Sequence, residues 1–497
     1  MRTIPHWIGG APHVPDGCAT APVWNPATGD TCAAVPLGAT AEVDAAVQAA
    51  AGAYAAWRHT SLSRRTEILF RFRDLVASHA DGIAEIIVRE HGKVLADARG
   101  EVRRGLDVVE FACGIPQLLK GEFSENVSTG IDTWSVRQPL GIVAGITPFN
   151  FPAMVPMWMF PIAIACGNAF VLKPSEKDPS ASILLAELWQ RAGLPDGVFN
   201  VVHGRKEAVN AILAHPAIAA VSFVGSTPVA RAVWEAATRS GKRVQALGGA
   251  KNHMIVMPDA AMDEAADAAI SAAYGSAGER CMAISVVVAV AGAADDVVPR
   301  IAQRLERITV GDGFDETSQM GPLITREHRD RVAGYIERGM NEGARVVADG
   351  RALHVRGREA GFFLGPCLLD HVTPDMSVYR DEIFGPVLSV VRAPSYEAAR
   401  DLVNGNPWAN GVAIFTSDGA TARRFQNEIE VGMVGINVPI PVPMAYYSFG
   451  GWRGSLFGDA HVYGEEGIRF CTRAKVITSH WSATTPERAA LNFPTAR

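Results

Sequence analysis

Ala219-Ala220-Val221-Ser222-Phe223-Val224-Gly225-Ser226-Thr227-Pro228 is an apolar run that ends in Gly-Ser and passes through Thr-Pro into a helical stretch. That order predicts a buried strand feeding a helix, whose free first-turn amides and positive dipole end suit a pyrophosphate. Upstream, Gly141-Ile142-Val143-Ala144-Gly145-Ile146 and Ala169-Phe170-Val171-Leu172-Lys173 are short apolar runs of the same kind, separated by helical lengths. Buried strands alternating with helices specify a parallel sheet with crossovers, so the region reads as a Rossmann-type α/β unit. The second run ends in Lys173-Pro174-Ser175-Glu176, which sets a cation and a carboxylate at the strand edge where ribose hydroxyls would lie; the plainer reading is a surface ion pair.

A second α/β block follows. Met254-Ile255-Val256-Met257, 286–290, Leu388-Ser389-Val390-Val391 and Gly411-Val412-Ala413-Ile414-Phe415 are candidate strands, interleaved with helices at 263–273, 295–307, 326–342, 396–403 and 419–428. Just before one of them stands Tyr274-Gly275-Ser276-Ala277-Gly278-Glu279-Arg280-Cys281-Met282, an order of loop, thiol and strand. A thiol is a nucleophile only as thiolate, and Arg280 together with amides aimed by a Gly-rich turn would favour that form. The plainer reading is a buried core cysteine.

At the N-terminal side the chain opens with a polar, Pro-rich arm to about Pro36. A helix is predicted after Thr40, whose hydroxyl can cap it, with Val43, Val47, Ala50, Tyr54 and Trp57 on one face; 62–79, 81–91 and 100–120 repeat the pattern, the last bearing Arg103, Arg104, Asp107 and Glu110. The apolar stretch 151–167 resembles a membrane span but carries Pro152, Pro156 and Pro161, which argues for a buried, broken helix. Residues 127–137 and 467–478 alternate like strands and could pair into a protruding arm suited to an oligomer contact.

Composition narrows the class. A chain of 497 residues with 48% apolar content is long enough for two or three domains. Its net charge of −6, without a Lys/Arg run, argues against nucleic acid and anionic membranes as partners. Seven scattered cysteines with no C-x-x-C pair point to a reducing cytoplasm without disulfides or zinc, and no apolar stretch near Met1 suggests a secretory signal. No metal motif is present.

Pro148-Phe149-Asn150-Phe151-Pro152, Lys173-Pro174-Ser175-Glu176, Phe223-Val224-Gly225-Ser226, Gly278-Glu279-Arg280-Cys281 and Glu382-Ile383-Phe384-Gly385-Pro386 occur in the order and at the spacing of the NAD(P)-dependent aldehyde dehydrogenase superfamily. The resemblance covers nearly the whole chain. Gly249-Ala250-Lys251-Asn252-His253, Cys281-Met282-Ala283 and 464–478 are similar to its CoA-acylating methylmalonate-semialdehyde dehydrogenase branch. The resemblance implies Cys281 as nucleophile and the Asn150 amide as oxyanion donor. It implies NAD held by Phe149, Lys173, Glu176, Gly225, Ser226, Glu382 and Phe384, and a substrate carboxylate held by Arg280 or Arg104, with coenzyme A as acyl acceptor. Hydrolysing relatives carry a general-base glutamate about thirty-four residues before the cysteine, a position that falls on Leu247 here. The family's nucleotide turn usually has a glycine where this chain has Ala230.

The implied domains are an NAD-binding domain (1–120 and 140–247), a catalytic domain (248–445), a β oligomerisation arm (121–139 and 446–481) for a homodimer or homotetramer, and a tail at 482–497. Two other function classes stay open. One is a non-acylating aldehyde dehydrogenase that releases a free acid; the other is a non-catalytic binding protein on this scaffold.

Overall fold

The computed structural model describes residues 2–481, so the expected tail at 482–497 lies outside the described residues. Eight strands form the first sheet, in the order Leu456–Phe457, Arg243–Leu247, Ile218–Val224, Ile142–Ile146, Ala169–Lys173, Phe199–Val201, His6–Ile8 and Ala11–His13. The central strands from Arg243–Leu247 to Phe199–Val201 pair in parallel. Every residue of Ile142–Ile146 and Ala169–Lys173 is buried, as expected of strands covered on both faces. From Ile142–Ile146 the chain winds one way to Ala169–Lys173 and then crosses back to Ile218–Val224 on the other side. Strand order therefore reverses between Ile142–Ile146 and Ile218–Val224, and a ligand crevice opens beyond their C-terminal ends. Pro148, Phe149 and Asn150 follow one of these strands; Gly225 and Ser226 follow the other.

The second sheet runs Arg345–Ala348, Cys367–Asp370, Val387–Ala393, Ile284–Val290, Asn252–Val256, Gly411–Phe415 and Met433–Ile436, with its first pair antiparallel and the rest parallel. All four strands read from the sequence lie in it. Its core is separate from the apolar clusters of the first sheet.

Several local expectations need correction. Ala39, not Thr40, stands at the start of the Thr40–Trp57 helix, and its N–H donates to Glu42 Oε2 at 2.7 Å. The helix expected at 100–120 spans Leu95–Cys113; it ends at Gly114, and a short turn Ile115–Leu118 carries Pro116. Residues 151–167 hold one continuous, wholly buried helix, Met154–Ala165. It runs on through both prolines: Pro156 falls in the first turn, where no intrahelical N–H is needed, while Pro161, in the interior, removes one N–H from the helix ladder without ending it. The N-terminal arm is largely strand: Thr20–Asn25 and Asp30–Pro36 pair antiparallel, and Arg2–Thr3 joins them.

The arm itself is a three-stranded sheet. Thr472–His480 pairs antiparallel along the whole of Ile131–Pro139, which pairs with Phe123–Ser128. Only part of 446–481 belongs to it. Residues 464–470 are helical, and Leu456–Phe457 extends the edge of the first sheet. The alternation in 467–471 placed apolar residues on a short helix packed against Met154–Ala165, where period 2 and period 3.6 are hard to tell apart over so few residues.

Candidate active site

Cys281 stands between a tight turn, Gly275–Gly278, and the strand Ile284–Val290. Ser276, Ala277 and Gly278 all have left-handed φ, which for the first two is a strained conformation held by the surrounding packing. Gly278 is required by close approach: a Cβ there would collide with the Gly385 carbonyl, so the nucleophile turn lies directly on the 382–385 loop. The Cys281 carbonyl accepts from Asn252 Nδ2 at 2.9 Å and Asn410 Nδ2 at 3.2 Å, two amides that fix the turn from neighbouring strands. The thiol is neutral at rest. Burial, helped by the Glu382 charge, pushes it up to about 12; its own backbone amide and that of Met282 oppose this, and Arg280 opposes it least. Arg280 thus acts in the direction expected from the sequence, but burial outweighs it in the unliganded site.

Cys281 opens on two cavities. The first is a cleft of about 490 Å³ lined by Phe149, Asn150, Gly225, Ser226, Glu382, Phe384 and Cys281, joined by His328, Arg331 and Trp408. Asn150 is 3% exposed, and among the described residues its side-chain amide makes no hydrogen bond, which leaves it free for a ligand oxygen. Phe149 meets Phe384 edge-on at 5.8 Å and carries Lys177 Nζ 4.5 Å over its face. Burial raises the Glu382 carboxyl to about 6, so it is ionised at neutral pH; its Oε1 accepts from the Ala250 N–H at 3.0 Å. The 382–385 loop is anchored by Lys251 Nζ, which donates to the Val378 and Asp381 carbonyls.

These residues fit a dinucleotide. The Thr227–Arg239 helix begins at Ser226 without a side-chain cap, so its first-turn amides remain available to a pyrophosphate. Ala230 is fully buried on that helix, and its methyl stays out of the cleft. Lys173 and Glu176 stand at the C-terminal edge of the same sheet but outside the cleft wall just described. Lys173 Nζ lies 3.8 Å from Glu176 Oε2, and Arg205, which the sequence reading missed, reaches Glu176 Oε1 at 3.4 Å.

The second cavity, about 430 Å³, is lined by Arg104, Arg280, Asp97, Phe151, Trp158, Phe449 and Cys281. Both arginines expected at the substrate carboxylate are thus brought to one chamber. Arg104 Nη2 donates to the Pro443 carbonyl at 3.0 Å, while Arg280 is held by Asp97 Oδ1 at 2.6 Å. Arg103 projects outward, 67% exposed.

The aldehyde dehydrogenase family model matches residues 14–477, nearly the whole described chain. The chain belongs to this family. It is 53% identical over 491 residues to the malonate-semialdehyde dehydrogenase of Pseudomonas aeruginosa, covering 99% of this chain and 98% of that one. Among solved structures, the methylmalonate-semialdehyde dehydrogenase of Oceanimonas doudoroffii is similar with a TM-score of 0.96 and 53% identity, covering 97% of this chain and 99% of that one. A Sinorhizobium meliloti structure, described as a methylmalonate-semialdehyde dehydrogenase complexed with NAD, matches with a TM-score of 0.96 and 52% identity over the same shares.

Two positions were expected to decide whether water is activated: 247, which carries no carboxylate, and Glu279, whose carboxyl is turned elsewhere. Leu247 ends the Arg243–Leu247 strand, is 2% exposed, and lies in the apolar cluster against which Cys281 packs. Glu279 points away from both cavities: it accepts from the Ile324 N–H and faces His328 and His91, and burial raises it to about 8, so it is protonated at neutral pH.

Proposed function

We propose that this protein is an NAD-dependent, CoA-acylating dehydrogenase of malonate and methylmalonate semialdehyde, forming acetyl-CoA or propionyl-CoA with loss of carbon dioxide. The names of its similar relatives support the substrate class, and the two-cavity site supports the chemistry. Arg104 and Arg280 grip the carboxylate of the semialdehyde, a planar bidentate contact that sets the carbonyl beside Cys281. The thiol loses its proton as it attacks the aldehyde carbon. The Asn150 amide and the Cys281 N–H receive the oxyanion, a donor pair of which each member typically lowers the barrier by about 3 to 4 kcal/mol.

Bound NAD would supply the hydride acceptor that lets the Cys281 adduct become a thioester. Gly225 and Ser226 would hold its pyrophosphate, Lys173 and Glu176 the adenosine ribose, and Glu382 the nicotinamide ribose, with Phe149 and Phe384 walling that end. The thioester then passes to coenzyme A. A free thiol with a pKa of about 8.5 is partly thiolate at neutral pH, whereas water, with a pKa of about 15.7, needs a base. Before that transfer, while the acyl group is still on Cys281, its β-carboxylate leaves as carbon dioxide, and the Asn150 hole holds the resulting enolate until it takes a proton from water.

The observation that carries CoA acylation is Leu247, an apolar side chain where a hydrolysing relative has its base. Mass analysis of the product decides. With saturating CoA, the acyl-CoA should be the main product, and free acid as the main product overturns the reading in favour of a non-acylating dehydrogenase. A cytoplasmic homodimer or homotetramer, built through the three-stranded arm, fits the exposed Phe123 and Val476 on that sheet.

A further inference from the structure

We propose that Lys93 and Glu101 are positioning residues for Asn150, a buried clamp that builds the oxyanion hole from behind; this rests on the reading of Asn150 as an oxyanion donor. Lys93 follows Gly92, the left-handed residue that ends the Ala80–His91 helix, and Glu101 lies on the next helix, Leu95–Cys113. Both side chains are 0% exposed, and Nζ to Oε2 is 2.7 Å. An ammonium has three N–H groups to satisfy in such a place. One meets Glu101. Another donates to the Asn150 backbone carbonyl at 2.7 Å, and the Phe151 ring presents its face 4.3 Å from Nζ. The remaining Glu101 oxygen, Oε1, accepts from the Ala153 N–H at 2.8 Å and the Met154 N–H at 3.1 Å.

One ion pair therefore takes hold of residues 150, 151, 153 and 154. It also caps the uncapped start of the Met154–Ala165 helix. What it leaves alone is the Asn150 side-chain amide, which points to the cleft shared with Cys281. A preorganised donor needs that division: a fixed backbone and an uncommitted N–H. The clamp has its own footing. Leu95 N–H donates to the Gly313 carbonyl at 3.0 Å, and Gly313 and Gly321 lie so close to Lys93 and Gly92 that a Cβ on either would collide with their backbone. Core packing alone does not explain the charges, since apolar residues of equal volume commonly fill such a space with no loss of stability.

The test compares Lys93→Met, Glu101→Gln and the combined Lys93→Met/Glu101→Gln variant, which leaves no charge buried and so keeps the fold. Each is measured for kcat on malonate semialdehyde, for NAD affinity by fluorescence, and for the rate of Cys281 alkylation by iodoacetamide. Misplacing a reacting group by about 1 Å can cost about a hundredfold, so kcat should fall by about that factor in the combined variant. NAD affinity and alkylation should stay within about twofold, because those contacts are untouched, and in an Asn150→Ala background the same changes should have little further effect. A combined variant with wild-type kcat, or one whose kcat, NAD affinity and alkylation fall together, overturns the clamp. If Asn150→Ala itself leaves kcat unchanged, the oxyanion reading fails and the clamp with it; if Asn150→Ala is slow and the clamp variants are not, only the clamp fails.

Discussion

Asp97 Oδ1 lies 2.6 Å from the Arg280 guanidinium, so the cation beside the nucleophile is already matched by a carboxylate. Each side chain is about four-fifths buried, and both line the chamber on which the thiol opens. Removing the Asp97 charge should leave Arg280 uncompensated and favour the thiolate. Asp97→Asn is expected to speed iodoacetamide alkylation of Cys281 at pH 7.5 by about threefold or more. An unchanged or slower rate would show that Asp97 does not mask Arg280.

Arg104 and Arg280 line one chamber with Cys281, where the proposed pose puts the substrate carboxylate. A charged hydrogen bond contributes about 1.5 to 3 kcal/mol, so Arg104→Leu or Arg280→Leu should raise KM for malonate semialdehyde by about tenfold or more. KM for propanal, which has no carboxylate, should hardly move. Equal losses for both aldehydes would remove the arginines from substrate recognition.

Glu176 is the acid beside the adenosine ribose in the proposed NAD pose, and its charge disfavours the 2′-phosphate of NADP. Lys173 and Arg205, which flank it, would both welcome that phosphate once the carboxylate is gone. Wild type should prefer NAD by about tenfold or more in kcat/KM, and Glu176→Gln should raise NADP use by a similar factor. A Glu176→Gln variant with unchanged cofactor preference would place the ribose elsewhere.

Glu279 couples the nucleophile turn to pH through stability. Burial raises its folded-state pKa to about 8, above the value near 4.5 that an exposed glutamate has. Between these two values the folded protein binds the extra proton, so stability falls as pH rises through that window, with the loss complete above about 8. Glu279→Gln cannot ionise. Denaturation midpoints at pH 5 and pH 8 should therefore differ less in this variant than in wild type, and an equal difference would show that Glu279 ionises normally in its contact with His91 and His328.

Much of this was legible along the chain, for a physical reason. Strands such as Ala169–Lys173 and Ile284–Val290 are buried on both faces and read as continuous apolar runs, and motif residues such as Asn150, Cys281 and Glu382 follow directly on those elements. What escaped depends on contacts far apart in sequence. Asp97 meets Arg280 across 183 residues and Lys93 meets Asn150 across 57, while on a helix a lone Asp, Glu or Lys reads as a solvated face. Charge sign alone was a partial guide: Arg280 beside Cys281 promised an activated thiol, and only the fold reveals the burial and the Glu382 charge that oppose it, and the Asp97 carboxylate that pairs with Arg280. Short edge strands such as Leu456–Phe457 and Ala11–His13 offered no period to count.

The thiol of Cys281 sits where the two chambers meet. In the proposed mechanism the acyl group occupies the arginine side, which would leave an incoming pantetheine arm to reach the thioester from the nucleotide side. On that reading the two ligands would take turns at one entrance. Reduced dinucleotide should accordingly compete with coenzyme A, double-reciprocal plots should run parallel, and turnover at saturating semialdehyde should be paced by how fast the first visitor leaves.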